Sequence, residues 1–60
     1  MGGGKYILEF IQQGRFVKVT AVDPATGLEA VIVADAVSPR QVLERNAVQK
    51  LEFLLKRKDQ

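Results

Sequence analysis

The sequence predicts an α+β domain of βββα type: a three-stranded antiparallel meander in the order 1-2-3, with one C-terminal helix across one face. Three observations predict it. Runs rich in Val, Ile, Phe and Tyr fill the first half of the chain. Two turn signals separate those runs. After Ser38-Pro39, apolar residues recur at helical spacing.

The first strand is expected at about 5–12, the second at 16–22 and the third at 28–34. Asp23-Pro24-Ala25-Thr26-Gly27 is the stronger turn signal. Pro24 presets the first central dihedral of a type I turn, the Asp23 carboxylate accepts backbone N–H groups, and Gly27 takes the positive φ that returns the chain. Gln13-Gly14 reads as a two-residue hairpin loop with Gly in the left-handed position.

These loops set a register. With Gln13-Gly14 as the first loop, Phe10 faces Val17, Glu9 faces Lys18, Leu8 faces Val19 and Tyr6 faces Ala21. With Pro24 to Gly27 as the second, Ala21 faces Ala30, Val19 faces Ile32, Thr20 faces Val31 and Lys18 faces Val33. One face then carries Tyr6, Leu8, Phe10, Val17, Val19, Ala21, Ala30 and Ile32, while Glu9 and Lys18 pair on the other. A slip of one residue in the first loop spoils both results.

Ser38 is expected to cap a helix over about 39–57, with Pro39 at its first position, Gln41 in the capping-box place and a Val37–Val42 staple. Leu43, Ala47, Val48, Leu51, Leu54 and Leu55 cover an arc of about 140°, a core-facing stripe. Arg40 with Glu44, and Glu52 with Lys56, are i,i+4 pairs. A helix of about 18 residues is roughly 27 Å long and matches the strands.

The opposite sheet face reads Ile7, Glu9, Ile11, Phe16, Lys18, Thr20, Val22, Glu29, Val31 and Val33. Six of these ten are large and apolar. A solvated antiparallel face ordinarily alternates to polar residues, and this one does not. It spans roughly 390 Å², comparable with the largest patch on an ordinary monomer. The helix is spent on the other face. The sequence therefore points to a homodimer, formed through this face or through a strand edge, with Ile7, Ile11, Phe16, Val31 and Val33 at the interface. Glu9 and Lys18 would set its register. Phe53 lies off the helical stripe and is an outside candidate.

Composition supports a partner subunit. At 60 residues there is room for one domain, with Gly2 to Gly4 as a disordered lead-in. Chains this short commonly need a disulfide, a metal or an oligomer. The sequence has no Cys and no His, so bridges and the usual metal ligands are missing. Lack of Cys agrees with a reducing, cytoplasmic setting. No apolar run reaches a membrane span, and the first residues lack an apolar signal-type stretch.

Catalytic, cofactor and metal sites are not expected. Ser38 serves as a cap, Asp23 belongs to its turn, and Gly2 to Gly4 do not continue into a phosphate-binding loop. The alternative is nucleic-acid binding, since a three-stranded sheet on one helix also occurs in DNA- and RNA-binding domains. Such readers use basic and aromatic side chains. The open face offers a single Lys18, and Lys56-Arg57-Lys58 sits where cations complement the helix dipole.

The segment Val17-Lys18-Val19-Thr20-Ala21-Val22-Asp23-Pro24-Ala25-Thr26-Gly27-Leu28-Glu29, with Lys50-Leu51-Glu52-Phe53-Leu54, resembles short alphaproteobacterial proteins classed as a domain of unknown function. The likeness runs from about Tyr6 to Lys56. It implies a bacterial, cytoplasmic protein without assigned activity and supplies no functional residues.

Overall fold

The structure, a computed structural model, describes residues 6–58. Its elements are β1 (Ile7–Gln13), β2 (Phe16–Val22), β3 (Glu29–Asp35) and α1 (Arg40–Lys58). The strands form one antiparallel sheet in the order β1-β2-β3, followed by the single helix. This is the expected α+β arrangement. The lead-in at Gly2 to Gly4, and Lys5 as the start of the first strand, lie outside the described residues.

The second hairpin follows the turn chemistry of its sequence. Asp23 O accepts from Thr26 N at 3.3 Å and from Gly27 N at 2.7 Å, and Gly27 has φ +77°. The Asp23 carboxylate accepts from Ala25 N and from Thr26 Oγ1, both at 3.1 Å. Asp23 N donates to Leu28 O at 2.9 Å, closing the loop. Beyond it Ala21 faces Ala30, Thr20 faces Val31, Val19 faces Ile32 and Lys18 faces Val33, as the loop length predicts.

The first hairpin corrects the expected register. Its two loop residues are Gly14 and Arg15, not Gln13 and Gly14, because Gln13 pairs with Phe16. Gly14 has φ +60°, and among the described residues no non-glycine residue has positive φ. That places Gly in the first central position, as a type II′ turn requires. A type I′ turn would force a second residue into the left-handed region. Moving the turn by one residue moves the register by two. Leu8 now faces Ala21, Phe10 faces Val19 and Gln12 faces Val17. The expected Glu9–Lys18 apposition is not formed: Glu9 faces Thr20, and Lys18 faces Ile11. An even shift leaves every side chain on its predicted face.

The core lies between the sheet and α1. Val17, Val19, Ala21, Ala30, Leu43, Ala47 and Leu51 are buried, with Tyr6, Leu8, Phe10, Ile32, Leu54 and Leu55 packed around them. Alanines on both layers keep side chains short and let helix and sheet approach closely. α1 packs chiefly on β2 and β3. β1 is reached mainly by side chains, among them the Arg40 guanidinium, 4.1 Å from the Phe10 ring centroid.

The helix start also differs in detail. Pro39 O accepts from Val42 N at 3.0 Å and Leu43 N at 3.2 Å, so Pro39 occupies the capping position and Arg40 opens the helix. Ser38 contributes its backbone N–H, which donates to Asp35 O at 3.0 Å. Val37 is 86% exposed, so the expected staple with Val42 is not closed. Arg40 and Glu44 do pair, at 3.6 Å.

Candidate functional site

Strand pairing arranges the open face as four rows across β1, β2 and β3. The rows are Ile7–Val22–Glu29, Glu9–Thr20–Val31, Ile11–Lys18–Val33 and Gln13–Phe16–Asp35. Ile7, Ile11, Phe16, Val31 and Val33, the apolar residues expected at the interface, share this face and are between 39% and 66% exposed. None is covered by α1, which packs on the opposite side. The face thus presents a band of large apolar side chains to solvent.

Two of its charges, Glu9 and Lys18, sit inside that band, and Glu29 and Asp35 lie at the two ends of β3. Glu9 and Lys18 occupy neighbouring rows on neighbouring strands, offset diagonally. Among the described residues the ion pair is Arg40–Glu44, and neither Glu9 nor Lys18 belongs to one. Thr20, between Glu9 and Val31, is only 8% exposed although it points to the open side. The middle of the face therefore holds a short polar side chain screened by its larger neighbours.

Phe53 does not join this surface. It is 57% exposed on α1, with the Arg57 guanidinium 5.7 Å from its ring centroid. The recess beside it is lined by Gln49, Glu52, Phe53 and Lys56. Four residues of one helix cannot enclose a ligand.

Two features escaped sequence reasoning. Lys50 Nζ donates to Val31 O at 2.8 Å, from helix to strand. Since Val19 and Ala21 carry the ladder to β3, Val31 turns its carbonyl outward, and Lys50 covers the outer edge of the sheet there. A lysine one step off the helical stripe was the available signal. The Arg40–Phe10 stack could not be found without knowing how far α1 reaches over β1.

The acidic side chains of the sheet stand apart from one another. Glu9 and Glu29 are separated by β2, about 9.6 Å in strand spacings, too far to share a proton. Asp35 Oδ1 accepts from Val37 N at 3.1 Å, and the Asp23 carboxylate is held in its turn. Among the described residues no three His, Cys, Asp or Glu gather where they could hold a metal ion. Among them, too, no helix is long and apolar enough to cross a membrane.

Residues 3–58 match the family described as a domain of unknown function, DUF6898. The chain belongs to that family. No curated protein and no solved structure matches it. For this DUF6898 chain, the open face is the surface that its own fold leaves unexplained.

Proposed function

We propose that the chain is a small, non-enzymatic homodimeric interaction module that self-associates through the open face of its sheet. The observation that carries this reading is the shared exposure of Ile7, Ile11, Phe16, Val31 and Val33 on one face. Apolar surface of this kind gains about 25 cal/mol per Å² on leaving water. A second copy supplies an identical apolar face, and two-fold symmetry needs no other partner.

Size sets the expected strength. Three seven-residue strands give a footprint of about 340 Å² per subunit, against roughly 800 Å² per partner in a standard interface. The association belongs to the weak class, in the micromolar range. The edges favour the face as the route: Lys50 covers part of the β3 edge, and pairing through β1 would leave the apolar face in water.

On the likeness of its turn and helix segments, we place the protein in the cytoplasm of an alphaproteobacterium, a setting that suits a chain without cysteine. The nucleic-acid alternative has in its favour, among the described residues, one basic side chain on the open face, Lys18.

Sedimentation equilibrium across micromolar concentrations tests the proposal. Reversible dimerisation is expected, and Val31→Lys should abolish it with an unchanged circular dichroism spectrum. A monomer mass throughout would overturn the proposal.

A further inference from the structure

Building on the self-association reading, we infer that the two sheets meet about an axis running across the strands, so that Lys18 of each subunit lies over Thr20 of the other and pairs with its Glu9. The inference concerns the mutual arrangement of the subunits and the charges that select it.

Two sheets can face one another about a two-fold axis along the strands or across them. An axis along β2 keeps each row on itself and exchanges β1 with β3. Lys18 then faces Lys18 of the partner subunit, and Glu9 faces the partner's Val31. Like charges are brought together at the centre of the patch, where water is excluded and the repulsion is strongest.

An axis across the strands keeps each strand over its own copy and reverses the rows. Full overlap of four rows puts the axis between the second and the third. Val31 then meets the partner's Val33, and Phe16 meets the partner's Val22. Glu29 comes over the partner's Asp35, a like-charge contact at the exposed rim, where water and salt screen it, rather than at the centre. Lys18 comes over Thr20 of the partner subunit, one strand spacing from the partner's Glu9. Thr20 is short and only 8% exposed, screened by larger neighbours over whose carbon atoms a lysine stem can lie. Symmetry repeats the contact, so Glu9 and Lys18, which belong to no ion pair among the described residues, find partners. The usual crossing of about −30° between packed sheets rotates the outer rows and preserves these central contacts.

Charge exchange tests the arrangement. Glu9→Lys and Lys18→Glu are made separately, one protein is isotopically labelled, and each is examined alone and mixed by native mass spectrometry and sedimentation. Alone, each variant should dimerise more weakly than wild type by roughly tenfold or more. Mixed, they should form the heterodimer in preference, because residue 9 of each then meets the opposite charge at residue 18 of the other. The double variant in one chain should dimerise as wild type does, and circular dichroism checks that every variant is folded. Repulsion confined within one chain would persist on mixing. Absence of heterodimer preference, with dimerisation retained, overturns this arrangement and leaves self-association standing. A wild-type protein that stays monomeric overturns both.

Discussion

Lys50 and Val31 are 19 residues apart, yet Lys50 Nζ lies 2.8 Å from the Val31 carbonyl oxygen, fastening α1 to the outer edge of β3. A lysine on an exposed edge is a recognised guard against strand addition. Lys50→Ala should therefore cost little stability, about 1 kcal/mol for an exposed hydrogen bond. Its main effect should be on solubility: light scattering at high concentration should rise above wild type, while Lys50→Arg should stay near it.

The open face makes a separate prediction. Ile11→Lys and Val33→Lys, like Val31→Lys, replace exposed apolar side chains and should leave the thermal midpoint of dilute protein nearly unchanged. All should lower the midpoint of concentrated protein, because dimerisation adds stability by mass action. A wild-type midpoint independent of concentration would contradict this.

Leu51 is fully buried beneath the helix. Leu51→Ala should cost about 2–5 kcal/mol, a large share of what so small a domain possesses. Urea titration should find it unfolded or nearly so, whereas Phe53→Ala, on an exposed side chain, should change the midpoint little.

Gly14 and Gly27 can be tested through handedness. Both have positive φ, and a Cβ added at either would meet nothing within 4 Å. Gly27→Ala should cost about 1–2 kcal/mol through backbone strain alone. A D-alanine introduced there by chemical synthesis should be neutral or stabilising, since the mirror-image residue favours that φ. Thermal unfolding of the two alanine forms separates backbone strain from crowding.

The architecture was legible in the sequence because its signals are redundant. Asp23, Pro24 and Gly27 each specify the same turn, and Leu43, Ala47 and Leu51 mark the stripe that is buried. The first hairpin was misplaced because Gln13-Gly14 and Gly14-Arg15 each make a two-residue loop. The hydrophobic pattern reports only whether a register is odd or even. Both loops satisfy it, and the difference emerged as the lost Glu9–Lys18 apposition. Exposure of Ile11 and Val33 was readable from alternation alone. The burial of Thr20 was not, because it depends on which residues flank it across the strands.

α1 leans toward β3, and this off-centre placement divides the molecule into unequal parts. Lifting β1 away would uncover Leu8 and Phe10 and leave Val19, Ala21 and Ala30 beneath the helix. The easiest partial opening of the fold is accordingly a one-sided unzipping from the N-terminal strand, with β2, β3 and α1 holding as a remnant. Backbone amides of Ala30, Ile32 and Ala34, which point toward β2, should keep their protons longest, and those of Ile7, Glu9 and Ile11, bonded only to β2, should surrender them first.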